Sequence, residues 1–283
     1  MIKQAARLAA GLMPTPVRAW LARYRFGYSG GAAEIPLTRE NRAGGGFRVT
    51  LRSGPGFAMT SDLEPDYLAH FVEDGDSREE MAGFLEISRA SAPDAVLLDI
   101  GANTGLFSLV HLTTGPLHRA VLLEPSPPLC RAASDLLRLN AVAGRADVVV
   151  AGAGATSGPR RIVTDELGFA VGAVESADAI DVPFVTVDEL CAARGFVPSI
   201  VKIDVEGAEA AVLRGAIQTL RAHRPVLCLE LHLDMLEQSG ESAGAMLEAL
   251  SRIGYRFETP SGTPLPAWRL SRSLKAIVRI VAR

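Results

Sequence analysis

The sequence predicts an α/β protein, a Rossmann-like, mostly parallel sheet with helices on both faces. Three observations predict it. From residue 96 onward, short apolar runs alternate with helical stretches, the rhythm of strand–helix–strand crossovers. The first of these runs opens into a glycine-rich turn and then a helix start, VLLDIGANTGLFSLV over 96–110, which is how such folds hold nucleotide-like ligands. The chain has 283 residues, 48% hydrophobic and 22% charged, enough to bury a full core with an ordinary soluble balance.

Residues 1–13 suit a short amphipathic helix, with Ile2, Ala5, Ala9 and Leu12 opposite Lys3, Gln4 and Arg7, stopped by Pro14. From Tyr28 to Gly56 the glycine-rich RAGGGFRVTLRSGPGFAM reads as a hairpin or irregular β segment. Residues 63–90 read as largely helical, and 1–90 together as an N-terminal extension that covers the substrate. The central domain, 91–260, then takes strands at VLLDI (96–100), AVLLE (120–124), DVVVA (147–151), IVKID (200–204), VLCLELH (226–232) and YRFET (255–259). Helices fall at 104–112, 127–140, from Gly207 to about Arg221, and near 241–252. Residues 158–187 break the rhythm with RRIVTD, VGAVES and DVPFVTV, short pieces of antiparallel type, so a β insertion is expected there. The tail, 261–283, reads as a basic amphipathic helix, with Leu270, Leu274, Ile277, Val278 and Val281 in a stripe and Arg272, Lys275, Arg279 and Arg283 largely opposite.

Charge is unevenly spread. Residues 1–33 and 260–283 each carry five basic groups and no acid, so with a net charge of −3 the body between them stands at −13. Basic ends on an acidic body raise the expectation of peripheral contact with an anionic membrane, and no aromatic–basic interleaving points to nucleic acid. No apolar run approaches the ~18 residues of a membrane span, and the short LAAGLM followed by Pro14 and Pro16 is not a signal peptide. Cys130, Cys191 and Cys228 are scattered and odd in number, as in a reduced cytoplasmic protein. Oligomeric state has no signature.

The glycine turn constrains the ligand. A dinucleotide site wants G-x-G-x-x-G, and counting from Gly101 the second and third glycines of that pattern are absent. The turn reads D-x-G-x-N-x-G instead. Asp99, two residues before Gly101, would repel a phosphate and attract a cation such as the amino end of a methionine-derived cofactor. That favours a nucleoside without phosphates, S-adenosylmethionine. Glu124 ends the second strand 19 residues after Gly105, where a carboxylate can accept both ribose hydroxyls.

At this point the sequence resembles the FkbM-type methyltransferases, a branch of the class I S-adenosylmethionine-dependent enzymes. The resemblance covers roughly 94–232 and rests on LLDIGANTGLFSL, LLEPSPPLC with Asn140 closing its helix, VTVDEL, IVKIDVEGAEAAVLRG and PVLCLELH, of which KIDVEGAE is the most specific. It implies a seven-stranded sheet and methyl transfer to an oxygen, usually a hydroxyl of a sugar, a glycan or glycolipid, or a polyketide-type metabolite. It places Asp99, Gly101, Asn103 and Gly105 along the methionine part of the cofactor and Glu124 at the ribose. Pro125, Ser126 and Ala151, Gly152 and Ala153 would lie by the adenosine.

Transfer to a hydroxyl needs a base for its proton, and in doubly wound sheets the reacting groups gather at the carboxyl ends of the strands. Asp204, Glu206, Glu230 and His232 fall at that edge, Glu230 and His232 on one face of a strand. His232 titrates near neutrality and is a candidate base; Glu206 is also suited to the start of the next helix. Such a set allows a divalent cation without requiring one. Lys202, inside a central strand, is expected to pair with Glu230 or Asp204. Two other functions compete with methyl transfer: a nicotinamide-dependent oxidoreductase, opposed by the missing glycines and Asp99, and a catalytically silent scaffold on the same fold.

Overall fold

The structure is a computed structural model that describes residues 37–41, 43, 47–51, 56–59, 75–164, 169–171, 179–266 and 277–283. The helix expected at 1–13 and the first part of the one at 63–90 lie outside these. The glycine-rich stretch forms an antiparallel meander of β1 (Leu37–Asn41), β2 (Phe47–Leu51) and β3 (Gly56–Met59). There follow α1 (Gly75–Ala90), β4 (Val96–Ile100), α2 (Leu106–Thr114), β5 (Arg119–Glu124), α3 (Pro127–Leu139) and β6 (Ala146–Val150).

The expected insertion is a second sheet, ordered β7-β10-β8-β9, of β7 (Gly152–Ala153), β8 (Gly158–Thr164), β9 (Phe169–Val171) and β10 (Ala179–Val185). Its pairings are antiparallel except for β7 with β10. The chain then returns to the large sheet through α4 (Val187–Arg194), β11 (Ile200–Ile203), α5 (Glu209–Arg214), α6 (Ile217–His223), β12 (Val226–His232), α7 (Leu233–Gln238), α8 (Ala243–Arg252), β13 (Phe257–Glu258) and β14 (Ile277–Ala282).

The large sheet has seven strands, ordered β13-β14-β12-β11-β4-β5-β6. The pairings from β12 through β6 are parallel, and β14 runs antiparallel to both its neighbours. Each face carries a core. On one side Met81, Phe84 and Leu85 of α1, with α2 and α3, cover Leu97, Leu122, Ile200, Cys228 and Val281. On the other, α4, α5, α7 and α8 cover Leu98, Leu123, Val201, Leu229 and Ile280. Each fully buried Leu or Phe here contributes roughly 1.5–3 kcal/mol. Thus α1, although it precedes the glycine turn, is part of the main core.

The tail is corrected by the structure: its described end is not a helix but β14. IVRIVA is mostly β-branched and apolar on both sides, Val281 facing the first core and Ile280 and Ala282 the second. Arg279, placed by the helical reading on a free basic side, is instead partly buried under α1 and bonded to two acids. A helical stripe and a two-faced strand share those apolar positions, so the pattern by itself misled.

The helix expected from Gly207 to Arg221 is likewise two helices. They part at Gly215, where a Cβ would lie 2.1 Å from the Gly154 carbonyl oxygen. The first amides of α6 are then met from outside, since Asp188 accepts from Gln218 N and Thr219 N. Thr186 caps α4 through Glu189 N. The VTVDEL motif is therefore helix-capping chemistry. No helix among the described residues is long and apolar enough to cross a membrane, and all three cysteines are buried thiols.

Candidate active site

The glycine turn crosses from β4 to α2 in left-handed backbone: Gly101 has φ +74°, Asn103 +50° and Gly105 +78°. Only glycine fits at 101, because a Cβ there would stand 1.8 Å from the Asp204 carbonyl oxygen. The turn is tied to the end of β5. Gly101 N and Ala102 N donate to Leu123 O, and Asn103 N donates to Glu124 Oε2 at 2.9 Å. The other carboxylate oxygen of Glu124 accepts from Ser126 N, also at 2.9 Å. Burial pushes the Glu124 carboxyl up to about 7 against the pull of these two amides, with Asp99 and Glu206 adding repulsion. The Thr104 hydroxyl, in the middle of the turn, is buried without a hydrogen-bond partner.

Beside the turn lies a concavity of about 260 Å³, open mouth included, lined among others by Gly101, Pro125, Ala151, Gly152, Ala153 and Phe184. Five of these six were expected from sequence. Phe184 was not; it enters from β10 of the insertion and lies so close over Gly152 that a Cβ there would meet the ring at 2.4 Å. The Arg160 guanidinium stacks 4.6 Å from the Phe184 ring centroid. Ser126 is buried and caps α3 at its backbone, and Gly105 presses against Ala133 and Leu122.

Asp99 lies outside this lining. It is 1% exposed, under α2, accepting from Ser108 Oγ at 2.7 Å, and burial pushes its carboxyl up. It begins a row of charges across four adjacent strands on the α1 side of the sheet. Lys202 of β11 is in register with Asp99, Glu230 of β12 is in register with Arg279 of β14, and Glu80 reaches down from α1. Lys202 Nζ donates to Asp204 Oδ2 at 3.2 Å, stands 3.8 Å from Glu80, and lies 4.2 Å over the Phe107 ring. Arg279 bridges Glu80 (2.7 Å) and Glu230 (3.0 Å). Burial, with Asp204 and Glu80 nearby, holds Glu230 well above the usual carboxylate range against Arg279 and Lys202.

At the carboxyl end of this row, Asp204, Glu230 and His232 come together, their ligating atoms all within 4.8 Å of one another. The two carboxylates are already bonded by Lys202 and Arg279, so the positive charge that a divalent cation would bring is supplied by side chains. Glu206 is placed differently. It is exposed with φ +49°, its charge acts on Glu124, and α5 begins only at Glu209, so Glu209 takes the first-turn position expected of Glu206. The left-handed pair Glu206–Gly207 is what delays the helix. Glu209 is fully buried and its Oε1 lies 2.9 Å from His232 Nδ1. Sequence spacing gave no signal for this pair, which joins a helix start to a strand end 23 residues on.

Over residues 99–257, more than half the chain, the sequence matches the family described as the methyltransferase FkbM domain. The chain belongs to the FkbM methyltransferase family. Its donor is accordingly S-adenosylmethionine. A curated relative, the AMB antimetabolite synthetase AmbE of Pseudomonas aeruginosa, is 41% identical over 99 residues, 34% of this chain but only 4% of that protein. Among solved structures, the methyltransferase FkbM of Methylobacillus flagellatus is 19% identical at a TM-score of 0.44, covering 68% of this chain and 44% of that one. A precorrin-6y C5,15-methyltransferase of Geobacter metallireducens is 17% identical at 0.42, covering 80% and 92%.

The residues present fit an FkbM enzyme's donor. The concavity offers an apolar floor and an aromatic ring for a base, Glu124 retains unused lone pairs for hydroxyl donors, and the orphaned Thr104 hydroxyl seeks a polar partner.

Proposed function

We propose that this methyltransferase acts on oxygen, methylating a hydroxyl of a sugar, a glycan or glycolipid, or a polyketide-type metabolite. The observation that carries the reading is a histidine, His232, 12% exposed by side chain, at the carboxyl end of β12, two strands from the β4 that opens the glycine turn. An aliphatic hydroxyl must lose a proton that an amine acceptor need not lose before attack, and a base positioned for it adds about 10²–10⁴-fold. The short match to an antimetabolite synthetase is in keeping with a small-metabolite acceptor.

S-adenosylmethionine, when bound, supplies a methyl group on a sulfonium. Glu124 would accept the ribose hydroxyls, with Pro125, Ala151, Gly152, Ala153 and Phe184 against the base and Asn103 and Thr104 toward the methionine end. Asp99, beneath the turn, anchors α2 by accepting from Ser108 Oγ. At the other end, Asp204 would orient the acceptor hydroxyl and His232 Nε2 would receive its proton. The imidazolium so formed would lie among Asp204, Glu209 and Glu230 and pass its proton to water. Lys202 and Arg279 keep the carboxylates from crowding one another meanwhile.

The test is calorimetric titration with S-adenosylhomocysteine, followed by transfer of labelled methyl from the donor into a panel of glycosides, polyketide alcohols and amines. Micromolar binding weakened at least tenfold (~1.4 kcal/mol) by Glu124→Ala, with label on oxygen, is the expected result. Absence of binding to folded protein, or label on nitrogen alone, would overturn the reading.

A further inference from the structure

We infer that Glu209 and His232 form a catalytic dyad, in which Glu209 is the positioning residue that fixes the tautomer of His232 and so leaves Nε2 as the proton-accepting atom. The inference rests on the oxygen-methylation reading and deepens it by assigning the base among four candidates.

The geometry is specific. Glu209 is 0% exposed. Its Oε1 accepts from Gly207 N at 3.0 Å and faces His232 Nδ1 at 2.9 Å, while its Oε2 is buried without a hydrogen-bond partner. Because an ionised carboxylate only accepts, Nδ1 must carry a proton, and in the neutral ring the lone pair is then on Nε2. Nε2 points toward Glu230 Oε1 at 4.0 Å, on the side where Asp204 is 30% exposed by side chain. A fully buried carboxylate with no cation beside it is costly. Among the described residues the one basic group within ion-pair distance of Glu209 is His232, so the pair is most stable when the imidazole is charged, as it is after taking a proton.

The rivals are less suited. Asp204 already accepts from Lys202 through Oδ2, and Glu230 is bridged by Arg279 and almost closed to solvent. The groups facing His232 are Glu209 from α5, Asp204 beyond β11 and Glu230 on its own strand. Behind Glu230 stand Arg279 of β14, Lys202 of β11 and Glu80 of α1. Burial alone would push the imidazole down, but the Glu209 hydrogen bond and the charges of Asp204, Glu209 and Glu230 outweigh it and hold His232 above the ordinary histidine value.

The experiment is nuclear magnetic resonance of the full-length protein labelled with ¹⁵N in its histidines. It is recorded across pH for the wild type and for the near-isosteric Glu209→Gln, each with and without S-adenosylhomocysteine. In the wild type His232 is expected as the Nδ1–H tautomer, with a midpoint above that of a free histidine. In Glu209→Gln the midpoint should fall by roughly one unit or more, with S-adenosylhomocysteine affinity within about twofold of wild type. A wild-type Nε2–H tautomer, or a midpoint that Glu209→Gln leaves in place, overturns the dyad. The wild-type tautomer is decisive even if the variant folds poorly. Failure of S-adenosylhomocysteine to bind, with the tautomer as expected, would instead sink the methylation reading.

Discussion

The role proposed for Glu124 requires charge in a place that resists it. Two backbone amides and its position at the end of β5 hold it where ribose hydroxyls would meet it, while burial raises its carboxyl to about 7. Only the ionised form accepts two hydroxyls, so a pH dependence of cofactor binding follows. Below about 7 the free protein must release a proton from Glu124 to bind, and affinity should fall up to tenfold per pH unit. S-adenosylhomocysteine titrated at pH 6, 7 and 8 should bind progressively tighter, and Glu124→Gln should flatten that trend as well as weaken binding. A wild-type affinity that is level over this range would mean that Glu124 does not carry the ribose. At this scale the sequence was informative where geometry is local. The spacing from Asp99 to Gly105 and the acid closing the second strand both placed residues at the turn, because strand, turn and helix start are contiguous. Glu209, Phe184 and Thr104 were not legible, since what matters about each is a neighbour or a missing partner brought by another element.

Among the elements, β14 shows most clearly what sequence pattern leaves open. Its apolar positions satisfy a helical stripe and a doubly buried strand alike. Only the empty place between β12 and β13 decides between them, and no local propensity encodes that place. The misreading had a chemical cost as well, since Arg279 is the cation that joins α1 to β12. Removing it leaves Glu80 and Glu230 facing each other in the first core. Arg279→Met should therefore cost about 3–5 kcal/mol, as for one partner of a buried ion pair, lowering the melting temperature by roughly 10 °C. Arg279→Met combined with Glu230→Gln should recover part of that loss, because the two positions share one interaction. Strictly additive losses in thermal melts would show that the bridge contributes nothing. By contrast the parallel strands from β4 to β12 were legible to within a residue or two, because each is a short apolar run closed by a recognisable turn.

The whole molecule has a polar lock at the end of the sheet opposite the site. His111, fully buried in α2, lies 3.1 Å from Ser88 Oγ and 3.2 Å from the Ala95 carbonyl, and stacks on His118 with ring centroids 4.4 Å apart. Arg145 closes the same region by donating to the carbonyls of Leu112, Gly115 and His118. Burial lowers His111 to about 4, so the folded protein keeps it neutral while the unfolded chain takes a proton near 6.5. Its contribution is thus intact above about pH 6.5 and is lost as pH falls toward 4. Between pH 6.5 and 5 the loss should be about 1.5 kcal/mol. Urea unfolding of the wild type and of His111→Gln at both pH values isolates it as the difference, and equal pH responses would rule it out. The parallel α/β architecture was legible from the pattern, while the seven-strand count came only with the family resemblance and β14 itself was read as a helix. This lock was not legible, because it joins a helix, a loop and a short 3₁₀ turn from separate parts of the chain.

The bridge from Glu80 to Arg279 also has a temporal side. It closes a loop of 199 residues, so it forms late on any route that builds local contacts first. Until β14 enters, Glu80 and Glu230 share their corner with only Lys202 for relief. An intermediate that has gathered the parallel strands but not yet admitted β14 therefore carries excess negative charge that draws Arg279 in, and added salt, by screening that attraction, should lengthen its lifetime.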